Sequence, residues 1–231
     1  MPRRPSDDLP ERGPLPPPAN PLDRKRMPTQ ARALETIERI LEAAALTLRE
    51  VGVERLSTNL VCERAGLSPP ALYRWFPNKY ALLAELGLRL MLAQNEPLQR
   101  WATPATMRLP RAAFEAGLLQ LFLDTLAITR GTTAGEWITR SLRAVPALAP
   151  VRTGSHDLVS DLLTQAFLQA WPGADPVRTR LVARLSVEVM YSAHELLFED
   201  PSLNDVEVGR TLSQMVFSQV ESLRQALPLA A

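Results

Sequence analysis

The stretch from residue 58 to 79, TNLVCERAGLSPPALYRWFPNK, constrains this chain more than any other. It predicts two short helices, Thr58–Ala65 and Pro69–Phe76, on either side of Gly66-Leu67-Ser68. Gly66 suits the left-handed conformation that closes a helix. Ser68 is a candidate cap for the next helix, and Pro69 fits a first helical position, where no backbone N–H is needed. Pro70 likewise gives up an N–H that would have no partner in the helix. Pro77 then stops the helix, and Asn78 can cap the following one. A helix pair with so tight a turn is the layout of a helix-turn-helix, whose second helix enters the DNA major groove. Pairs of this kind also occur in helical proteins that never touch DNA.

From Ser68 to Lys79 the chain has no acidic residue, while Tyr73, Arg74, Trp75 and Lys79 are present. A polyanion would meet hydroxyl, guanidinium and ammonium groups with no opposing charge. The net charge is only +1, which argues against binding nucleic acid over the whole surface. The charge is divided unevenly. Residues 1–80 hold thirteen Lys or Arg against ten Asp or Glu, and residues 81–231 hold thirteen against fifteen. A mildly basic head on an acidic body fits one localised DNA-binding face.

The stretch resembles the DNA-binding domain of TetR-family transcriptional regulators. The matching residues are Ile40, Leu41, Ala43, Ala44, Gly52, Thr58 and Ala65-Gly66-Leu67-Ser68, with the most specific run Leu72-Tyr73-x-x-Phe76-x-x-Lys79-x-x-Leu82-Leu83. They cover about residues 30 to 85. Two positions depart from the family pattern: Pro70 stands where a small residue is usual, and Cys62 where Ala is. Cys62 behaves as a small apolar residue and leaves the core undisturbed; Pro70 changes the surface offered to bases.

The resemblance implies an all-α fold, with an N-terminal three-helix DNA-binding domain followed by a larger helical domain for ligand binding and dimerisation. The expected divisions are a Pro-rich, disordered tail over 1–28, the helix-turn-helix domain over 29–77 and the helical body over 78–231. It implies that Tyr73 and Lys79 hold phosphates and that Thr58 suits a backbone contact, with Ser68 also in the DNA-binding set; Asn59 either pairs with adenine or binds phosphate. Pro69, Pro70, Ala71, Arg74 and Trp75 would form the base-reading side. Arg is the side chain best matched to guanine, and Pro and Ala suit a thymine methyl. Trp75 either covers phosphate or packs on the first helix. Arg24-Lys25-Arg26, ahead of that helix, is either an arm reaching DNA or a solvated charge run.

Helix 1 is expected near Gln30–Glu50, with Ile37, Ile40, Leu41, Ala44, Leu48 and Val51 on one face and Gly52 as its end. Ser57 or Thr58 should cap helix 2. Helix 4 should begin at Asn78 and stop before Pro97. Beyond residue 100, amphipathic helices are predicted over Leu109–Thr129, Ala134–Ala144, His156–Trp171, Pro176–Glu199 and Asp205–Ala226. In the family the last two pair with those of a second subunit. Leu181, Leu185, Val189, Leu212, Met215, Val216, Val220 and Leu223 are candidates for that seam, and an ordinary intrachain core accounts for each of them equally well.

Effector-pocket candidates are Trp101, Met107, Phe114, Phe122, Trp137, Phe167, Met190, Tyr191 and His194, although such residues at helical spacing are more often plain core. No cationic or anionic cluster accompanies them, so the expected effector is apolar or aromatic. His194 is either part of such a site or a helix histidine satisfied by a backbone or carboxylate partner. Glu136 and Arg140, four residues apart, predict a surface ion pair.

No nucleophile motif, glycine-rich phosphate loop or metal-ligand spacing appears, so neither an enzyme nor a cofactor or metal site is expected. Cys62 is the only cysteine, which rules out an internal disulfide. No apolar h-region or membrane-length run is read, which points to a cytoplasmic protein. The reading is a dimeric regulator, most simply a repressor released from a pseudo-palindromic operator by a small apolar or aromatic ligand. The alternatives are a regulator of the same type without small-molecule control, and a helical protein that has lost DNA binding.

Overall fold

The computed structural model describes residues 31–226. The expected disordered tail, the Arg24-Lys25-Arg26 arm and the start of the first helix at Gln30 lie outside them. Ten α-helices and one 3-10 turn make up the described residues, and no strand occurs among them. The helices are α1 (Ala31–Arg55), α2 (Thr58–Ala65), α3 (Pro69–Tyr73), α4 (Lys79–Trp101) and α5 (Pro104–Met107). After them come α6 (Arg111–Gly131), α7 (Gly135–Ala144), α8 (Ala149–Ala170), α9 (Pro176–Glu199) and α10 (Asp205–Gln225).

Local chemistry fixes most of the ends. Gly52 (φ 74°, ψ 172°) breaks α1, leaving one further helical turn to Arg55. Ser57, rather than Thr58, caps α2 by accepting from Leu60 N. Gly66 (φ 61°, ψ 40°) closes that helix, with Leu67 N–H donating to Cys62 O and Gly66 N–H to Glu63 O. This pair of bonds is the Schellman closure that a left-handed glycine permits. Asn78 caps α4 through Ala81 N, and Asp175 and Asn204 cap α9 and α10.

Two expected stops are overridden by packing. α4 runs through Pro97 to Trp101, because Pro97 and Leu98 are buried and Trp101 packs on the same core. The proline ring forfeits one bond to the preceding turn. α8 starts at Ala149 rather than His156, with Pro150 accommodated in its first turn, where a missing N–H costs nothing. α6 is long and apolar enough to cross a membrane by length and composition, contrary to the expectation that no run is. Here it is a core helix, with Phe114, Leu118, Leu121, Phe122 and Leu126 buried.

The first core gathers Ile37, Ile40, Leu48, Leu72, Phe76 and Leu82 from α1 to α4 and extends to Ile138 and Leu142 of α7. The second lies between the far half of α4 and helices α5, α6, α8, α9 and α10. α4 therefore belongs to both cores, and a cut at residue 77 separates side chains that pack together.

Among the described residues, one glycine makes a close approach to backbone. A Cβ on Gly135 would lie 2.0 Å from the Thr129 carbonyl oxygen, where α6 turns into α7. Gly135→Ala is expected to destabilise the protein by about 3 kcal/mol or more, since backbone must move. Gly154→Ala, on open surface in α8, should stabilise by up to ~1 kcal/mol. Chemical denaturation of the two variants checks the contrast; equal midpoints would show that the α6–α7 turn yields freely.

Candidate DNA-binding face and interior cavity

α3 is a single short helix presented by the two elements before it. Its turn is continued by Arg74 N–H to Pro70 O and Phe76 N–H to Leu72 O, so Leu72 and Phe76 both point into the first core at 0% exposure. Asn59, Ser68, Pro69, Pro70, Tyr73 and Arg74 are exposed on the opposite side, and Thr58 and Ala71 are half-buried. Ser68 precedes α3 in extended conformation, without a side-chain capping bond.

Trp75 does not join this face. At 7% exposure it packs in the first core, because Trp75 N–H bonds back to Leu72 O and turns the indole inward. The Arg74 guanidinium lies 5.2 Å from its ring centroid, so the indole supports the arginine from beneath. Thr58 Oγ1 and Tyr73 OH are 2.9 Å apart. One proton serves their mutual bond and the other remains available to an acceptor. Lys79 is held inward: its Nζ donates to Val53 O (3.2 Å) and Glu54 O (3.4 Å), neutralising carbonyls at the end of α1. Three N–H bonds on Nζ leave one unspent.

Beneath, helices α4, α5, α6, α8, α9 and α10 line a cavity of about 60 Å³. Five of the nine expected pocket residues line it: Trp101, Met107, Phe114, Phe167 and Met190. Sequence reasoning missed the aliphatic lining, among it Leu98, Leu163, Val187 and Val220, and also Thr179. The regular inward face of α9 (Thr179, Ala183, Val187, Met190) was the available signal, but it reads equally as core.

The other four expected pocket residues lie elsewhere. Trp137 stacks against the Gly52 break, 3.6 Å from a Cβ built there, at the junction of α1 and α7. Phe122 is fully buried against His194 with ring centroids 4.5 Å apart. Tyr191 and His194 belong to a polar layer, and Tyr191 packs against both cores. In that layer Gln94 donates to Thr129 (2.7 Å), Asn95 to Ser155 (3.0 Å), and His156 Nδ1 meets Glu188 at 3.0 Å. Tyr191 stacks on His156.

Neither histidine is a free base. His194 Nε2 faces the Phe122 carbonyl at 3.1 Å, which only accepts, so the proton sits there. Burial pushes this imidazole down to about 4. Burial also lowers His156, against the opposing pull of Glu188. Burial raises the Glu188 carboxylate, but bonds from His156 and Arg184 leave it below its ordinary value.

The expected Glu136–Arg140 pair is not formed. Arg140 donates to Phe198 O (2.8 Å) across the α7–α9 contact, where it also lies over Trp137. The expected seam divides as well. Leu181, Leu185, Val189 and Met215 are exposed at 58%, 54%, 37% and 56%, whereas Leu212, Val220 and Leu223 are buried within the chain and Val216 lines the cavity.

A helix-turn-helix head with an acid-free outer face, carried on a larger helical body, defines a DNA-binding regulator. Comparison with known proteins gives the family. Residues 40–86 match the sequence model of the bacterial regulatory proteins of the tetR family. An uncharacterized HTH-type transcriptional regulator of Mycobacterium tuberculosis is 33% identical over 159 residues, spanning 60% of this chain and 82% of the relative. The class A tetracycline repressor from transposon 1721 of Escherichia coli is 48% identical over 56 residues, but this covers only 24% of the chain and 26% of the repressor. Among solved structures, the SmeT–triclosan complex of Stenotrophomonas maltophilia superposes with a TM-score of 0.60 at 22% identity, over 80% of this chain and 90% of that one. The chain belongs to the TetR family of transcriptional regulators.

Proposed function

We propose that the protein is a dimeric repressor that leaves a pseudo-palindromic operator when a small apolar or aromatic molecule enters the cavity. The observation that carries this reading is the continuity of α4. One end, capped by Asn78, packs with the helix-turn-helix, and the other supplies Leu98 and Trp101 to the cavity wall. An occupant that spreads the wall tilts a helix on which the reading head is fixed. The response requires that the molecule bind one head spacing better than the other, typically by 5- to 150-fold. SmeT has been solved with triclosan, which supports an apolar effector here. A DNA-binding role supports a cytoplasmic location.

On the outer face, the Thr58–Tyr73 pair and Asn59 hold phosphate, with Lys79 contributing its remaining N–H and the charge. Arg74, stacked on Trp75, reads a base, and Pro69, Pro70 and Ala71 offer apolar contact. The exposed stripe of Leu181, Leu185 and Val189 on α9, with Met215 on α10, is the surface for a second copy. A twofold dimer requires half-sites about 34–36 Å apart or a multiple of a turn.

Selection from a random duplex library at physiological salt tests the reading. The wild type should enrich a palindrome. Tyr73→Ala should lose binding to all sequences, and Arg74→Ala should relax preference at one position per half-site by about 1–3 kcal/mol. Absence of enrichment by protein refolded from denaturant, and so stripped of any bound effector, would exclude sequence-specific DNA binding.

A further inference from the structure

The cavity carries one polar atom that the fold leaves unpartnered. Among the described residues, the eight other buried serine and threonine hydroxyls each donate to the carbonyl four residues earlier, Thr164 to Ser160 and Thr125 to Leu121 among them. Thr179, 2% exposed, is the exception: its Oγ1 has no partner. Thr179 lies in the first turn of α9, where the carbonyl four residues back, that of the capping residue Asp175, accepts Thr179 N–H at 2.9 Å but not the hydroxyl. A buried hydroxyl left unpaired costs stability, so its retention needs a partner from elsewhere.

The surroundings define that partner. Leu98, Phe114, Phe167, Val187 and Met190 make the wall apolar, and the lining has no Asp, Glu, Lys, Arg or His. Ser186, the other lining hydroxyl, already donates to Val182 O at 2.8 Å. A charged molecule would surrender its hydration with no countercharge in reach. We infer that the effector is a neutral, largely apolar molecule with one hydroxyl, which pairs with Thr179 inside the cavity. A ligand hydroxyl can both give to and take from Thr179 Oγ1. Met107 and Met190, flexible and polarizable, are the side chains that shift to enlarge the space around a ring. The inference rests on the proposed effector role of the cavity and adds its selectivity.

Titration calorimetry of the full chain with p-cresol, toluene and benzylammonium tests it. Toluene is the more hydrophobic of the neutral pair, so burial alone favours it. The wild type should nonetheless bind p-cresol roughly tenfold more tightly and benzylammonium not at all, and Thr179→Val should abolish that preference. Equal affinities in the wild type, or a preference surviving in Thr179→Val, would overturn the hydroxyl pairing while leaving an apolar cavity site. Binding of neither neutral molecule would overturn it together with the proposed effector role, and operator selection would stand apart from both. Without ligand, Thr179→Val should melt higher than the wild type, because it removes an unpaired buried hydroxyl. A lower melting temperature would show that the hydroxyl is satisfied within the chain and would also overturn the proposal.

Discussion

Leu181→Glu with Leu185→Glu is expected to convert the protein to monomers and to lower its operator affinity by two orders of magnitude or more. Both leucines stand more than half exposed, one turn apart on α9, in line with Val177 and Val189. A twofold interface repeats each substitution, so four apolar side chains become four charges. At about 1.5 kcal/mol or more for each leucine the dimer buries, the loss is on the order of 6 kcal/mol before any cost of carboxylate burial. A monomer grips one half-site alone and forgoes the high effective concentration that a linked second head provides. The exposed side chains contribute little to the chain's own core, so the melting temperature of a monomer should change little if no dimer stability is involved. Sedimentation velocity and operator titration check the two effects together. A double variant that remains dimeric with unchanged operator affinity would place the interface elsewhere.

Acidification between pH 6.5 and 4 is expected to destabilise the protein by about 3 kcal/mol through His194 alone. The folded ring is pushed down to about 4, against an ordinary value of 6.5, because burial outweighs the upward pull of its bond to Phe122 O. In that interval the unfolded chain takes up a proton that the folded chain refuses. Stability is therefore complete above pH 6.5 and is lost as pH falls toward 4. The difference of 2.5 between the two values corresponds to about 3 kcal/mol, or roughly 6–12 °C in Tm for a chain of this size. His156, also lowered by burial, adds to the loss in the same direction. His194→Gln keeps a donor toward Phe122 O and removes the titration, so its melting temperature should fall less over the same range. Parallel pH profiles for the two proteins would show that another group controls the acid transition.

The two histidines also mark how far the sequence could be read. His194 carries no spacing that distinguishes an effector contact from a buried ring bonded to a carbonyl, and the carbonyl belongs to Phe122 on another helix. The same applies to Trp137 and Trp75. An aromatic residue announces burial, but which layer receives it depends on where neighbouring helices end. Trp75 turned inward because α3 stops at Tyr73 and its last turn bonds back to Leu72. Lys79 was legible as the cation following the turn, yet its hold on the carbonyls of Val53 and Glu54 requires the break at Gly52.

The α9 stripe shows both sides of the problem. Leu181, Leu185 and Val189 follow a helical period, and so do Thr179, Ala183 and Val187, half a turn away. Periodicity identifies two faces without saying which meets the cavity and which meets solvent. Only the placement of α8 and α10 decides that.

By itself, the sequence determined what depends on neighbours along the chain: the glycine that closes α2, the asparagine that caps α4, the acid-free recognition helix and the all-helical class. These are set by φ preferences, missing N–H groups and side-chain bonds reaching no more than a turn. The tertiary structure alone decided what depends on residues far apart: α4 continuing past Pro97 into a second core, the polar layer around Tyr191 and the cavity holding the unpaired Thr179 hydroxyl. Those features arise from close packing between helices, where the free energy of burial outweighs a local stop signal and assigns each side chain a neighbour that its own sequence context does not name.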